Sequence, residues 1–179
     1  MLFNLAVASV SLSAKPSQPT WPLEFSAYVA KEDLTTNKTE GWQMSWSASQ
    51  NCTLNDFRVS SSAVDILNVF SFHTAFTVVT APPAPEKCTA APLPGNMDPP
   101  PVQDFVFQGQ QPFPPDSNNM VWIWKGGDLI YGTQQTEKQE PAVLLDGATK
   151  IVYGFANVQY FTPESWPATY WQLPPSCRG

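Results

Sequence analysis

The chain has 179 residues, among them 19 prolines and 7 tryptophans, with 13% charged residues and a formal net charge of −6. This length suits one domain, which would bury roughly 70% of the surface of its unfolded chain. The acidic balance argues against a nucleic-acid partner, because proteins that bind phosphate backbones present Lys/Arg patches. Prolines at short intervals, separated by Val, Phe, Trp, Tyr and Thr, predict strands and turns in place of long helices.

Residues 1–14 are apolar or small and carry no charged side chain, which is typical of a short signal peptide cleaved after Ala14. The match is imperfect, because no Lys or Arg precedes the apolar stretch and Leu12 is large for its position before the cut. The alternatives are an ordinary first strand or an incorrect gene start. We expect residues 15–179 to form a single β domain, secreted to the extracellular space or the endomembrane lumen. No later segment approaches the ~20 apolar residues of a membrane span, so integral membrane insertion is not expected.

Alternating apolar residues predict several strands in the first half of the chain. Residues 23–29 form the first, polar residues 31–41 form a hairpin loop, and residues 42–47 form a second strand with a Trp-Met-Trp face. A short strand is predicted at residues 54–60. Residues 69–80 predict a long strand, which implies a large, curved sheet.

A shift in composition marks residues 81–101, which hold eight prolines and Cys88. Such a segment cannot be a central strand, because proline lacks the N–H that a ladder needs. One interpretation is a flexible linker between two domains. The halves on either side look too small and too alike to be independent, so we favour a long crossover held to the body through Cys88.

The second half predicts an antiparallel meander. A short helical turn is expected within residues 102–107, and the glycine pair at 126–127 predicts a hairpin between two apolar runs. Residues 142–145 are expected to pair with residues 150–161 across a turn.

Two of these strands are apolar on both faces, at residues 121–124 and 151–160. An antiparallel sheet usually leaves one face in water, so such strands need cover on both sides. A curved sheet that closes around an apolar cavity would supply it. Plain core packing in a two-layer β-sandwich would supply it equally.

Two sequons predict glycosylation, at Asn37 and Asn51. The second contains Cys52, where a disulfide and a glycan would compete for one short segment.

The three cysteines contain no CxxC pair, which excludes a zinc ribbon. We expect a disulfide between Cys88 and Cys177, joining the proline-rich segment to the C-terminal tail and leaving Cys52 free. A bond between Cys52 and Cys88 is the rival pairing, and in a cytosolic protein all three would be buried thiols. An odd cysteine can also pair between chains, so a homodimer stays open.

No pattern in the chain predicts catalysis. The only histidine is His73, on the predicted strand 69–80, and a Ser/Cys–His triad or a histidine metal site would depend on it alone. The acidic residues are scattered, without a glycosidase pair or a calcium loop. We expect no metal, no cofactor and no enzyme activity.

Four segments in this order resemble the secreted ependymin-related proteins. They are Trp21-Pro22-x-x-Phe25-Ser26-Ala27, the run from Lys87 to Gly95, Val121-Trp122-Ile123-Trp124, and an ending with Phe161, Tyr170-Trp171-x-Leu173-Pro174-Pro175-x-Cys177. The resemblance implies a LolA-like fold, which is an antiparallel, curved, half-open β-barrel with an apolar cavity. It also implies a secreted, disulfide-bonded, often glycosylated protein that binds hydrophobic ligands and is not known as an enzyme. This chain departs from the family in having only three cysteines.

The leading hypothesis is a secreted, non-catalytic carrier or binder of a lipid or another hydrophobic small molecule. The candidate lining, which is equally the candidate core, consists of Trp42, Met44, Trp46, Phe70, Phe72, Phe76, Trp122, Trp124, Tyr153 and Phe155. The alternative is an extracellular adhesion or carbohydrate-binding module, which would display tryptophans on one flat, exposed surface.

Overall fold

The computed structural model describes residues 15–114 and 117–178. Strands dominate these residues, and helix is limited to single 3-10 turns at Phe70–Phe72, Val102–Asp104, Pro163–Ser165 and Pro175–Cys177. In chain order the strands of the described residues are β1 (Glu24–Asp33), β2 (Lys38–Ser47), β3 (Cys52–Val59), β4 (Ser62–Val69), β5 (Thr74–Thr80), β6 (Lys87–Pro92), β7 (Val106–Pro112), β8 (Met120–Gly126), β9 (Leu129–Gln134), β10 (Pro141–Asp146) and β11 (Ile151–Tyr160). The predicted signal peptide lies outside the described residues.

All of these strands belong to one antiparallel sheet, in the order β6-β5-β4-β3-β2-β1-β11-β10-β9-β8-β7. Two meanders, one from β1 to β6 and one from β7 to β11, join where β1 pairs with β11. The sheet is not closed, since β6 and β7 stand at opposite edges. Irregular register in the β1–β11, β9–β10 and β7–β8 pairs adds local bends. This is the mainly β, half-open architecture that was predicted, in one sheet rather than the two of a sandwich.

Local sequence explains the tight hairpins. Asp33 Oδ1 accepts a hydrogen bond from the backbone N–H of Thr35 at 2.8 Å, and Asp146 Oδ1 accepts one from Ala148 at 2.9 Å. Such Asp turns reverse the chain within a few residues. Gly127 has φ of 59°, which the turn between β8 and β9 requires. The predicted hairpins are confirmed, although the first loop is shorter than predicted because β1 and β2 extend to Asp33 and Lys38.

Side chains alternate across the sheet, which gives it two faces. Face A carries Phe25, Val29, Trp42, Met44, Trp46, Trp124, Tyr131, Leu144, Tyr153 and Phe155, which the cross-strand pairing places on one side. Face B carries Ser45, Ser47, Cys52, Leu54, Leu67, Phe76, Val78 and Cys88 on one half and Ile123 and Val143 on the other.

Face A is covered by two irregular stretches, the N-terminal segment (residues 15–23) and the crossover (residues 93–105). Trp21 of the first and Val102 and Phe105 of the second belong to the same buried cluster as the face A aromatics. Gln18 ties the two together, because its side-chain amide donates to the carbonyls of Val102 and Phe105.

Face B is covered by the C-terminal segment (residues 161–178). Trp171 and Leu173 pack against a buried cluster of Cys52, Leu67 and Val69. The Cys88–Cys177 disulfide attaches the end of this segment to β6, which confirms the predicted pairing. Cys52 is free and buried.

Three parts of the sequence-based prediction are wrong. The long strand at 69–80 is broken by the Phe70–Phe72 turn and by His73, whose φ of 48° is incompatible with a strand. Residues 87–92 of the proline-rich stretch form β6, an edge strand, where missing N–H groups are tolerated. The crossover therefore begins only at residue 93. Strands β4 and β7 were not predicted.

No helix of the described residues has both the length and the apolar character needed to span a membrane.

Candidate functional site

An apolar pocket of about 220 Å³ lies on face A beneath the crossover. Its lining combines three strands at the centre of the sheet, strand β10 and the two covering segments. The lining residues are Trp21, Val29, Trp42, Met44, Trp46, Asp98, Pro100, Leu144, Tyr153 and Phe155. We call this space the apolar pocket.

Strand register explains why these side chains meet. Val29 of β1 stands opposite Trp42 of β2 on one side and Phe155 of β11 on the other. Tyr153 stands opposite Leu144 of β10. Residues directly opposite in an antiparallel pair point to the same face, so the pocket floor follows from pairing alone.

Aromatic contacts hold the walls in place. The Trp21 ring packs edge-on against Trp46 and Phe155, with ring centroids 5.8 Å apart in both cases. Trp42 stacks on Phe57 and donates its indole N–H to Asn55 Oδ1 at 2.9 Å. These contacts fix the orientations of the Trp21 and Trp42 rings before any ligand binds.

The polar groups at the pocket are few. The indole N–H groups of Trp21 and Trp46 are buried and have no hydrogen-bond acceptor among the described residues. Burial, with the charge of Asp146 as a smaller cause, raises the pKa of Tyr153, so its hydroxyl stays neutral at physiological pH. Asp98, on the crossover, is exposed and is the one charged residue of the lining. Because the two indole N–H groups are buried, the Tyr153 hydroxyl and Asp98 are the hydrogen-bonding partners that a mainly apolar ligand could use.

Half of the predicted lining comes together in this pocket. Trp42, Met44, Trp46, Tyr153 and Phe155 all contribute to it. Trp124 shares face A but is fully buried and packs on Phe107, with ring centroids 5.0 Å apart. Trp122 is half-buried on the same face and does not line the pocket.

The three remaining phenylalanines lie elsewhere. Phe76 is on face B, packed against the cluster around Leu67. Phe70 and Phe72 occupy the turn before β5, where Phe72 is 70% exposed. The predicted continuous strand put them on one face, and the break at His73 separates them from it.

Sequence reasoning missed Trp21, Val29, Leu144, Asp98 and Pro100 as lining residues. Val29 and Leu144 belong to predicted strands, so their alternation with the neighbouring residues was an available signal. Asp98 and Pro100 had no such signal, because the path of an irregular crossover is set by distant contacts.

The histidine and the two sequons identified in the sequence lie outside the apolar pocket. His73 is exposed in a turn, and its backbone N–H and C=O bond to Phe70 and Leu93. Asn37 is exposed in the turn between β1 and β2, and Asn51 is half-buried, so glycosylation at both stays a prediction. Within residues 15–114 and 117–178 no three His, Cys, Asp or Glu side chains are grouped as a metal site.

Comparison with known proteins adds little. No family model matches the chain, and no curated protein matches it. Among solved structures it is similar to a DUF1329 family protein from Desulfovibrio piger, with 8% identity over 84% of this chain and 90% of that chain. The TM-score of this superposition is 0.27, which is too low to carry an argument about fold or function.

Proposed function

We propose that the protein is a non-catalytic binder or carrier of a lipid or another hydrophobic small molecule, which it holds in the apolar pocket. The observation that carries the proposal is the pocket itself, in which nine of the ten lining residues are Trp, Tyr, Phe, Met, Leu, Val or Pro. Pockets of this character, with a few polar groups, are typical of small-molecule sites.

The size of the pocket limits the ligand. A volume of about 220 Å³ is below the usual range of roughly 300–1,000 Å³ for sites that hold drug-sized molecules. It suits a small apolar molecule or one end of a longer chain. The pocket is open to solvent, so a longer ligand would extend out of it past the crossover residues Asp98 and Pro100.

Secretion belongs to the same proposal. The Cys88–Cys177 disulfide is consistent with an oxidising, extracellular environment. The resemblance of four sequence segments to ependymin-related proteins, and their LolA-like fold, supports a secreted binder as well. Glycosylation at Asn37 would fit this environment.

The alternative of a carbohydrate-binding or adhesion module finds less support. Stacking on sugars needs tryptophans on one exposed surface. All seven tryptophans lie in the described residues, and each is buried or half-buried. Five of them lie at face A and two lie within the C-terminal segment, which favours the hydrophobic binder.

Binding of the uncharged dye N-phenyl-1-naphthylamine tests the proposal. The dye fluoresces on entering an apolar site, so we expect saturable enhancement with the wild-type protein. Leu144→Trp enlarges a side chain that lines the pocket and is expected to weaken binding about tenfold, equivalent to ~1.4 kcal/mol. Native mass spectrometry of the purified protein would identify a ligand that is already bound.

Val106→Trp is the matched control, because Val106 is 63% exposed on edge strand β7 and lines neither wall of the pocket. It should bind the dye as the wild type does. The proposal fails if the protein is empty by mass spectrometry and does not enhance the dye. It also fails if Leu144→Trp binds the dye unchanged.

A further inference from the structure

A second, larger cavity lies on the opposite side of the sheet, between face B of β2–β5 and the C-terminal segment. Its volume is about 560 Å³, within the usual range for small-molecule sites. None of its lining residues belongs to the apolar pocket. We call it the face B cavity.

The lining of the face B cavity is divided by polarity. At one end Leu54 and Leu67 of the sheet are directly opposite in register and share an apolar cluster with Leu173 of the C-terminal segment. The other end includes two aspartates from neighbouring strands, with Val78 opposite the second of them. A ligand that fills this space therefore needs an apolar part and a polar part.

At the polar end, two carboxylates share the single positive charge of Arg58. Asp56 of β3 and Asp65 of β4 are directly opposite in register. Arg58, whose side chain is 67% exposed, approaches both, with Nη2 at 2.6 Å from Asp56 Oδ2 and at 3.9 Å from Asp65 Oδ1. The Oδ1 atoms of both aspartates are buried and accept no hydrogen bond from the described residues.

The other guanidinium of the lining is engaged elsewhere. Arg178 Nε donates to the carbonyl of Leu173 at 2.8 Å, which holds this side chain against the C-terminal segment. Burial and, after it, the charge of Asp56 raise the pKa of Asp65, although Arg58 acts in the opposite direction. The unfavourable environment of the Asp65 carboxylate is what an additional cation would relieve.

We propose that the face B cavity binds a small organic ammonium ion with an apolar tail, whose nitrogen donates to the paired Asp56 and Asp65 carboxylates while the tail lies against Leu54, Leu67 and Leu173. A primary ammonium group carries a positive charge and three N–H donors, which suits two neighbouring carboxylates that share one largely exposed guanidinium. An anionic ligand would meet two carboxylates at the same end. A proton shared between Asp56 and Asp65 would give their Oδ1 atoms a hydrogen bond without any ligand. The experiment distinguishes this shared proton from a bound ammonium ion.

The test is isothermal titration calorimetry at neutral pH with three eight-carbon probes, octylammonium, octanol and octanoate. We expect octylammonium to bind at least about tenfold more tightly than the other two, because only it can form charge-assisted hydrogen bonds with the aspartates. Asp65→Asn removes one carboxylate and should abolish this preference. Circular dichroism would establish that the variant is folded, and Asp56→Asn provides a second, independent variant.

Asp98→Asn is the matched control, since it makes the same change in the lining of the apolar pocket. It should keep the preference for octylammonium. The proposal is overturned if octylammonium does not bind, if the three probes bind alike, or if Asp65→Asn and Asp56→Asn keep the preference. A loss of the preference in Asp98→Asn alone would place the ammonium group in the apolar pocket and would equally overturn it. Because dye binding tests the apolar pocket separately, either proposal can fail without the other.

Discussion

At the scale of single residues, Glu24 links three parts of the molecule. Its Oε1 accepts the backbone N–H of Ser49 and its Oε2 accepts the indole N–H of Trp166, both at 2.7 Å. Glu24 itself opens β1, so one carboxylate joins the central strand, the turn after β2 and the C-terminal segment. Burial disfavours its charge, but hydrogen bonds from Ser47, Ser49 and Trp166 outweigh it and lower the pKa of Glu24.

We predict that Glu24→Ala lowers the free energy of unfolding by about 3 kcal/mol at neutral pH, because it leaves buried donors without an acceptor. The folded pKa of Glu24 lies below the unfolded one, so its contribution is complete above the unfolded pKa and is lost as pH falls through the folded pKa. The difference between variant and wild type should therefore shrink in acid. Urea unfolding at several pH values measures both effects.

Glu32→Ala is the control on the same strand, where the side chain is exposed. It should change the free energy of unfolding by less than about 0.5 kcal/mol. If both substitutions changed the free energy of unfolding equally, the hydrogen bonds of Glu24 would contribute nothing to stability.

At the scale of elements, the C-terminal segment has no strand, and its only regular structure is two 3-10 turns, but it is one of the most aromatic parts of the described chain. Phe161 stacks on Trp166 with ring centroids 4.0 Å apart, and Trp171 meets Trp166 edge-on at 5.0 Å. Tyr170 is hydrogen-bonded to Ser45 on face B through its hydroxyl at 2.8 Å. The segment thus forms a small hydrophobic layer of its own, which the disulfide attaches to β6.

We predict that Cys88→Ser/Cys177→Ser loosens this layer and lowers the free energy of unfolding by up to about 4 kcal/mol, since the bond joins residues 89 positions apart. Cys52 lies beneath Trp171 and Leu173, and burial raises the pKa of its thiol to about 11. In both proteins Cys52 is the one free thiol, so labelling with a thiol reagent reports on this position alone.

The rate of Cys52 labelling should rise clearly in the double variant. Labelling of both proteins in denaturant supplies the control, because the thiol is then equally accessible. A native labelling rate that is the same with and without the disulfide would mean that side-chain packing alone holds the segment.

At the scale of the whole molecule, the sheet is organised about β1 and β11, and stability should decrease from there toward the edges. Each of these two strands is ten residues long and pairs on both sides. Edge strand β6 pairs with β5 and is also held by the disulfide. Edge strand β7 pairs with β8 and has no such link.

We predict that hydrogen exchange followed by mass spectrometry finds the slowest amides in β1 and β11 and the fastest strand amides in β7. Mild reduction of the disulfide should accelerate exchange in β6 and leave β7 unchanged. Protection in β7 equal to that in β1 would contradict this order and would indicate a sheet that opens only as a unit.

Much of the fold was predictable because its signals are local. Alternation with a period of two marks β1 and β2, runs that are apolar on both faces mark β8 and β11, and Asp or Gly turns mark the hairpins between neighbours. His73 shows the limit, because nothing in the pattern around it distinguishes a broken strand from a continuous one. Strand β6 shows another limit, since prolines exclude a central strand and still permit an edge.

Only half of the residues that line the apolar pocket were predicted from the sequence, for a related reason. Trp42, Met44 and Trp46 share a face by alternation, so they stay together wherever that face points. Whether the face meets a cavity depends on what lies above it. Here that is the crossover with Asp98 and Pro100, whose path is set by contacts with residues far away in the chain.

The sequence by itself determined a mainly β protein of hairpins, with strands apolar on both faces, because propensity, alternation and turn chemistry act over a few residues. Only the tertiary structure decided which segment covers which face. The N-terminal segment and the crossover line an apolar pocket on face A, and the C-terminal segment lines a more polar cavity on face B. The physical reason is that burial and cross-strand pairing are satisfied by residues distant in the chain, and no local pattern records which partners they find.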